Sequence, residues 1–346
     1  MGEEEKSTDQ YEEDISLKEL FMAIWRQKLI IISITLIAAI LTGIVSVFFI
    51  SPVYNSRLNI IINMPDTYHT RFGDYQLPIT SNGEYINLIS SNDVIIKTIN
   101  DMGYDPEVLT IEGLRERITI GNPSTTPNVE QNSFTVSLSA DNPEEAKKLA
   151  QTLFDNYIEF IDVLTIKGAI DYYRNQFSTA LKSLDVSLES TEKILAKNEE
   201  LLAETPQTIN QGEAMDEIKG NTNASEYIIL ENIINTNYIA IEKNIVENKQ
   251  SINGIENSMR VYNEYLIELD DIQKPLDTYY TTGDIQELDD ITVNITTTNI
   301  YLPSEPIVPS QKASPNNAMN VIIATVLGGM LGVLVALVKE YWFKEN

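Results

Sequence analysis

The chain has no cysteine and only one histidine, His69. Without cysteine there can be no disulfides, no thiolate nucleophile and no cysteine-based metal site. A single histidine in a loop is typical of an exposed side chain rather than of a catalytic base, and no G-x-x-x-x-G-K-[ST] phosphate loop is present. Adjacent acidic residues such as Asp270 and Asp271 do not by themselves converge on a substrate as a glycosidase pair does. We therefore predict that the protein is not an enzyme and holds no metal or other cofactor.

Positive charge is also scarce. The 346 residues include 51 acidic and 24 basic side chains, which gives a formal net charge of −27. No basic stripe is visible, and a chain this acidic repels nucleic acid and anionic lipid surfaces. We predict a solvated acidic exterior and exclude nucleic acid as a partner.

Two long apolar stretches are the main positive feature. Residues 29–50 and 318–338 carry no charge, and each has the ~20 apolar residues that a helix needs to cross ~30 Å of hydrocarbon. The acidic segment before the first stretch and the bulky residues after it are unlike a cleaved signal peptide. We predict two retained transmembrane helices, with residues 51–317 on one side of the membrane and residues 1–28 and 339–346 on the other.

Basic residues near the two spans favour one orientation. Three precede the first span and two follow the second, whereas only Arg57 and Lys312 lie near the spans on the loop side. The positive-inside rule then places both termini in the cytoplasm and the large loop on the external side of the membrane. The basic residues on the predicted cytoplasmic side are Lys18, Arg26, Lys28, Lys339 and Lys344.

The external part divides by pattern into a base and a helical extension. An α/β base is predicted over residues 51–142 and 275–302. Outside this external part, before the first span, an amphipathic helix is predicted whose capping box begins at Ser16. Within the base, alternation and composition predict strands, a loop and helices. The strands are 53–62, 118–121, 134–139 and 291–295, the loop is 64–83, and the helices are 84–102 and 109–117.

Residues 143–274 have heptad-like apolar spacing typical of coiled coils. The spacing predicts two long helices that form an antiparallel hairpin with its turn near 204–224. Gly168 and Gly254 are the expected breaks, and Lys274-Pro275 the expected end of the second helix. Two or three ordinary bundle helices are the alternative. The predicted fold class is thus an α+β membrane protein, in which two transmembrane helices flank an external α/β base with a long antiparallel helical hairpin.

Three short features around the second span are candidate functional residues. A proline-rich strap over 303–317 favours extended backbone. A G-x-x-x-G pattern in the span allows close helix packing, although glycine is common in membrane spans in any case. An aromatic tail follows, as an interfacial anchor or as a docking site for a cytoplasmic partner. The residues are Pro303, Pro306, Pro309 and Pro315 in the strap, Gly328 and Gly332 in the span, and Tyr341, Trp342 and Phe343 in the tail.

The order of these features resembles that of the polysaccharide co-polymerases, the chain-length-determinant (Wzz-type) family. The resemblance covers the whole topology, but its motifs lie in residues 14–60 and 300–338. They are Ile15-Ser16-Leu17-Lys18-Glu19-Leu20, Ile24-Trp25-Arg26-Gln27-Lys28, Ser51-Pro52-Val53-Tyr54, and Pro303-x-x-Pro306-x-x-Pro309 with Pro315 before a glycine-bearing span.

The resemblance implies a non-enzymatic scaffold that forms ring-like homo-oligomers. Such proteins regulate the length of O-antigen, capsule or exopolysaccharide chains that a separate membrane polymerase makes, and many partner with a cytoplasmic tyrosine kinase. No kinase is expected as a fused domain here, so a kinase would be a separate chain. The resemblance also implies that the strap prolines and the span glycines take part in assembly and regulation. The alternatives are a membrane activator of that kinase and an envelope export adaptor.

Overall fold

The computed structural model describes residues 17–121, 131–210, 232–289 and 295–342. The helices are α1 (Leu17–Arg26), α2 (Lys28–Phe48), α3 (Asn82–Asn87), α4 (Asn92–Met102), α5 (Ile111–Glu116), α6 (Pro143–Glu204), α7 (Thr236–Thr282), α8 (Gln286–Asp289), α9 (Ile295–Asn299) and α10 (Asn317–Trp342), with a 3-10 turn at Leu88–Ser90. The strands are β1 (Tyr54–Ile62), β2 (Thr67–Thr70), β3 (Gly73–Gln76), β4 (Ile118–Ile120), β5 (Ser133–Ala140), β6 (Thr208–Asn210), β7 (Asn232–Ile234) and β8 (Ile300–Tyr301). The chain forms two compact units. One comprises residues up to 62, 86–156 and from 301 onwards, and the other comprises 63–85 and 157–300.

The first unit contains a four-stranded sheet in the order β4-β5-β1-β8. Strands β1 and β5 are antiparallel, with Leu58 opposite Val136. Because side chains alternate along a strand, one face of this pair is apolar and fully buried. Helix α4 and the first turns of α6 supply further buried apolar residues of the unit. The core includes Leu58, Ile60, Ile62, Phe134, Val136, Leu138, Ile95, Ile99, Leu149 and Leu153.

Helix α6 begins with a reciprocal cap. The Asn142 side-chain oxygen accepts a 2.8 Å hydrogen bond from the backbone N–H of Glu145, and the Asn142 amide donates to the Glu145 carboxylate at 2.8 Å. Pro143 occupies the first helical position, where a missing N–H costs nothing. These local signals agree with the predicted start of the helix.

The second unit is built on the antiparallel pair α6 and α7. Aromatic and aliphatic side chains fill the space between the helices and the β2–β3 hairpin. Nine of them form one buried cluster: Tyr75, Leu77, Val163, Ile170, Tyr173, Phe177, Leu269, Leu276 and Leu288. At the far end of the pair, β6 and β7 are antiparallel, and Asn235 caps α7 by accepting a 3.0 Å hydrogen bond from Asn237 N–H. The predicted α+β class, with two apolar helices, an α/β base and a long antiparallel helix pair, is confirmed.

Several predicted details are wrong. Both expected glycine breaks lie inside continuous helices, and Pro275 lies within α7, which continues to a left-handed Gly283 cap at φ 76°. Burial of Leu276 at 0 % exposure offsets the hydrogen bond that Pro275 removes. Residues 64–83, expected as a loop, contain the β2–β3 hairpin.

Two further expectations concern the ends of elements. The predicted helix 84–102 is interrupted at Ser91, where extended backbone precedes α4. The strand expected over 291–295 lies mostly outside the described residues, and the chain from Ile295 to Asn299 is helical. Ser16, the first residue of the expected capping box, and residues 211–224 of the expected turn also lie outside the described residues.

Candidate functional site

The two apolar helices pack directly on each other. Helices α2 and α10 run antiparallel, because Ile31 lies beside Gly332 and Ala38 beside Gly328. Both glycines are buried. A Cβ atom added to Gly328 would lie 2.7 Å from Ala38 Cβ, and one on Gly332 would lie 3.0 Å from the Ile31 Cα. The G-x-x-x-G pattern therefore faces α2 at a distance that no larger residue allows without displacement of the helices.

Polar side chains join the same two helices at each end. At one end, Ser46 donates a 2.9 Å hydrogen bond to Asn317 and accepts one of 2.9 Å from Asn320. Ser46 is only 1 % exposed, and a hydroxyl buried among apolar side chains is costly unless it is hydrogen-bonded. These contacts fix the register of the helices near the base.

At the opposite end, Glu340 joins α10 to the junction of α1 and α2. One carboxylate oxygen accepts a 2.8 Å hydrogen bond from Arg26, and the other accepts a 2.9 Å hydrogen bond from Gln27. The Glu340 side chain is 10 % exposed. We call these contacts of Glu340 with Arg26 and Gln27 the clamp. Sequence reasoning did not find the clamp or the hydrogen bonds of Ser46, because the partners lie about 300 residues apart.

The outward faces of the helix pair are apolar and exposed. Ile37, Leu41, Val326 and Leu331 are each more than half exposed. Both helices are long and apolar enough to cross a membrane, and few of their residues are buried. A soluble protein rarely exposes a continuous apolar surface of this kind, so the pair has the properties of a membrane-spanning element.

The proline-rich segment lies against strand β1. Residues 302–316 form no helix. Val53 N–H donates to Ser314 at 2.9 Å, and Ala313 N–H donates to Val53 at 2.7 Å. Further along, the buried Ser56 hydroxyl donates to the Ile307 carbonyl at 3.2 Å.

The four strap prolines differ in environment. Pro306 and Pro315 are buried, Pro309 is half-buried and Pro303 is exposed. The strap is thus tied to the sheet of the first unit by Val53 and Ser56 immediately after α2. Pro315 lies just before the first residue of α10, Asn317, whereas Gly328 and Gly332 lie further along the helix against α2. Val53 belongs to the Ser51-Pro52-Val53-Tyr54 motif quoted for the resemblance, whereas sequence reasoning did not single out Ser56.

The aromatic tail begins on the last turn of α10. Tyr341 is 40 % exposed and Trp342 is 79 % exposed, and Phe343 lies outside the described residues. Nearby, Lys28 Nζ lies 4.9 Å from the centre of the Trp25 ring, a typical cation–π distance. Exposed tryptophans at the ends of apolar helices are typical of a membrane interface.

No group of three or more potential metal-ligating side chains occurs within the described ranges. The raised pKa values of Tyr85 and Tyr104 have structural causes. Burial, with a minor contribution from Tyr75, raises the pKa of Tyr85 to about 12. Burial and the hydrogen bond to Glu145 raise the pKa of Tyr104. Both phenols therefore stay protonated, and the Tyr104 hydroxyl donates a 2.6 Å hydrogen bond to the Glu145 carboxylate.

Comparison with known proteins gives a family match for the N-terminal part of the chain. Residues 13–102 match the family model described as "Chain length determinant protein", which confirms the resemblance. A probable capsular polysaccharide biosynthesis protein of Bacillus subtilis is 27 % identical over 145 residues, 41 % of this chain and 54 % of that protein. A capsular polysaccharide biosynthesis protein of Streptococcus pneumoniae is 28 % identical over 143 residues, 40 % of this chain and 59 % of that protein. This chain thus matches little more than half of the length of either relative.

The solved structures that this chain matches include a full-length bacterial polysaccharide co-polymerase. It is 18 % identical, covers 96 % of this chain and 99 % of its own, and has a TM-score of 0.44. An O-antigen chain-length regulator of Shigella flexneri is 14 % identical, covers 75 % of this chain and 99 % of its own, and has a TM-score of 0.31.

Proposed function

We propose that this chain, whose residues 13–102 match the chain length determinant family, is a non-enzymatic membrane scaffold. It regulates the chain length, and with it the polymerisation and export, of a bacterial surface polysaccharide such as O-antigen, capsule or exopolysaccharide. The family match and the capsular relatives support the substrate class. The relatives match over little more than half of their length, so the experiments below test the activity of the whole protein.

The observation that carries this proposal is the combination of two helix pairs in one chain. Helices α2 and α10 supply a tightly packed apolar pair, and α6 and α7 run without interruption for 62 and 47 residues. At 1.5 Å per residue, those two helices are about 90 Å and 70 Å long. Such lengths are far beyond ordinary globular helices and suit a wall rather than a catalytic pocket.

We further propose that copies of the chain assemble side by side into a ring around or beside a membrane polymerase. The helix pair of the second unit exposes apolar side chains that neighbouring copies would cover. Val186 is 67 % exposed and Ile267 is 63 % exposed. A Wzz protein among the similar solved structures is a dodecamer, and a homo-oligomer is proposed for this chain by analogy. The other exposed aliphatic side chains of α6 and α7 are Ile194, Leu201, Ile239 and Val246.

The proposed location is the bacterial inner membrane, with both termini cytoplasmic. The antiparallel pairing of α2 and α10 supports termini on a common side, because Arg26 and Glu340 meet at one end of the pair. The basic residues around that end favour the cytoplasm. Residues 51–317 would then face the periplasm or the exterior.

Deletion and complementation in the source organism test the function. Surface polysaccharide separated by gel should lose its normal length distribution on deletion and regain it with the intact gene. Complementation with Pro306→Ala or Pro315→Ala, the buried strap prolines, should shift the distribution, whereas the exposed Pro303→Ala should shift it less. An unchanged distribution in the deletion strain would remove the proposal.

A second candidate function is activation of a separate cytoplasmic tyrosine kinase. The exposed Tyr341 and Trp342 at the end of α10 favour it. Truncation before Lys339 would be a poor test because it also removes Glu340, which holds Arg26 and Gln27. The variant Tyr341→Ala with Trp342→Ala keeps the clamp and removes the aromatic surface. Kinase phosphorylation should collapse in this variant while the oligomer survives, and a normal phosphorylation level would exclude the docking role.

A further inference from the structure

The second unit contains a cavity of about 320 Å³ that no part of the scaffold function explains. It lies between the β2–β3 hairpin, one face of α6 and the facing side of α7. From α6 it receives residues at positions 162, 165, 166, 169, 170 and 173, which lie on one side of a helix. Its size is within the range of small-molecule sites, which is ~300–1,000 Å³.

Most of the cavity wall is apolar. Ile166 and Ala169 of α6 face Leu269 and Ile272 of α7, and the rings of Phe72 and Tyr173 belong to the same lining. The two rings are 5.5 Å apart and tilted. Such a wall suits the C–H face of a ring or a chain, but it does not choose between a lipid, a peptide and a sugar.

Polar groups at one end of the cavity make that choice. Tyr68, Asp162 and Thr165 contribute two hydroxyls and a carboxylate to the lining. The Asp162 carboxylate is held by the backbone N–H of Thr296 at 3.3 Å and by the Thr296 hydroxyl, and Thr296 is fully buried. Among the residues that the structure describes, neither the Tyr68 nor the Thr165 hydroxyl has a hydrogen-bond partner.

Tyr68 lies close enough to Asp162 for the two to interact. Burial, and then the negative charge of Asp162, raise the pKa of Tyr68, so this phenol is a neutral donor and acceptor. A half-buried hydroxyl costs free energy when it has neither a hydrogen-bond partner nor contact with water. An acyl chain would leave both hydroxyls unpaired, whereas a ligand with several O–H groups would satisfy them.

Charge narrows the ligand class further. Asp162 is negative, and Arg71, the positive side chain of the lining, is paired with Glu268 and lies 5.3 Å from the Phe72 ring. An acidic ligand would therefore meet Asp162 without a free cation to oppose it.

We propose that this cavity binds a neutral sugar residue, with the ring against the apolar wall and its hydroxyls on Tyr68, Asp162 and Thr165. The inference rests on the proposed function, because it makes the growing polysaccharide the ligand. The chain would then hold the polymer through a defined site rather than only by general contact.

Binding by the full chain in lipid nanodiscs tests the cavity, since maltoside detergents carry sugars of their own. The probes are three neutral disaccharides (cellobiose, lactose and N,N′-diacetylchitobiose), digalacturonate as the acidic probe and octanol as the apolar probe. Titration calorimetry and saturation-transfer NMR should show saturable binding of at least one neutral disaccharide. Digalacturonate should bind at least tenfold more weakly. Saturation by octanol or digalacturonate alone, or by none of the probes, would overturn the proposal.

Substitutions then locate the binding. Tyr68→Phe and Thr165→Val each remove one hydroxyl at nearly constant volume, and each should weaken binding about three- to tenfold. Ala169→Trp should abolish binding by filling the cavity. Thr179→Val, on an exposed turn of α6 outside the cavity, is the matched control and should bind as the unchanged chain does. Unchanged affinity in both Tyr68→Phe and Ala169→Trp would also refute the site.

The two proposals fail separately. If the deletion strain has altered polysaccharide length but no neutral disaccharide binds, the scaffold function stands and the sugar site is wrong. If disaccharides bind but polysaccharide length is normal in the deletion strain, the site stands and the scaffold function is wrong.

Discussion

The chain contains two antiparallel helix pairs that are held together in opposite ways. Helices α2 and α10 meet through glycine, and their backbones approach closely along their length. Helices α6 and α7 meet through aromatic rings, where Phe177 lies 5.3–6.1 Å from the rings of Phe72, Tyr173, Tyr262 and Tyr265.

The difference follows from the surroundings of each pair. In lipid, burial of a large apolar side chain gains little, so van der Waals contact between close backbones and a few hydrogen bonds hold helices together. In water, burial of a ring removes 150–250 Å² from solvent, at roughly 25 cal/mol per Å². The α6–α7 pair therefore has the features of a water-exposed pair, and α2–α10 those of a membrane pair.

The largest effect should come from removing the central ring of the α6–α7 pair. Phe177 is 3 % exposed and belongs to the buried cluster, so Phe177→Ala should cost about 3–5 kcal/mol. Hydrogen exchange of the α6 and α7 peptides, with the full chain in nanodiscs, should show a loss of protection. The control Tyr280→Ala removes a ring that is 57 % exposed and should leave protection nearly unchanged. Equal effects of the two variants would show that the rings do not hold the pair.

In the α2–α10 pair, two added methyl groups should destabilise the packing more than their small size suggests. The combined Gly328→Ala and Gly332→Ala variant should destabilise the pair by about 1–3 kcal/mol, because both added methyls press on α2. The control is Gly329→Ala, whose Cβ would lie 3.7 Å from the Thr35 hydroxyl oxygen, an ordinary contact.

The absence of native cysteine makes this measurable by cross-linking. With Gly43→Cys and Val321→Cys introduced together, the disulfide yield should fall in the double alanine variant and not in the Gly329→Ala control. The same yield in both would contradict close packing at Gly328 and Gly332.

Much of this architecture could be predicted from the sequence because it depends on local signals. The apolar runs, the alternation of β1 and β5 and the cap at Asn142 are each encoded within a few residues. Contacts between distant residues could not be predicted in this way. Glu340 has a partner because the chain returns to Arg26 after more than 300 residues, and the cavity exists because Tyr68 is brought to Asp162.

At Pro275 and Gly168 the predictions were wrong because tertiary packing overruled an intrinsic preference. Pro275 and Gly168 favour the end of a helix when taken alone. In the folded chain, Leu276 beside Pro275 is fully buried, and Gly168 leaves space for Tyr75. The β2–β3 hairpin was missed because its short strands contain polar residues and its turn ends at Gly73, with φ 127°.

Alanine substitutions at two glycines of the α6–α7 pair should change the free energy of unfolding in opposite directions. Gly254 has no atom within 4 Å of an added Cβ, so Gly254→Ala should stabilise α7 by about 0.8–1 kcal/mol through helix propensity. A Cβ on Gly168 would collide with the Tyr75 hydroxyl oxygen. Because the Tyr75 ring is 5 % exposed and packs against Tyr172 and Tyr173, Gly168→Ala should destabilise by about 1 kcal/mol despite the same gain in propensity.

Thermal unfolding followed by circular dichroism would separate these two variants. The midpoint should rise for Gly254→Ala and fall for Gly168→Ala. A rise in both would mean that Tyr75 moves aside without loss, and that Gly168 has no packing role.

The smallest effect should come from one of the ion pairs that join α6 and α7 at their surface. Arg174 lies 2.8 Å from Asp270, with side chains 36 % and 65 % exposed, so Arg174→Gln should cost about 0.2–1 kcal/mol. The cost should disappear at ~1 M salt, where the Debye length is about 3 Å. Lys193→Gln is the matched control, since Lys193 pairs with Glu189 of the same helix and does not join the two helices. If Arg174→Gln lowers the unfolding midpoint equally at low and high salt, Arg174 acts through the packing of its aliphatic stem and not through charge.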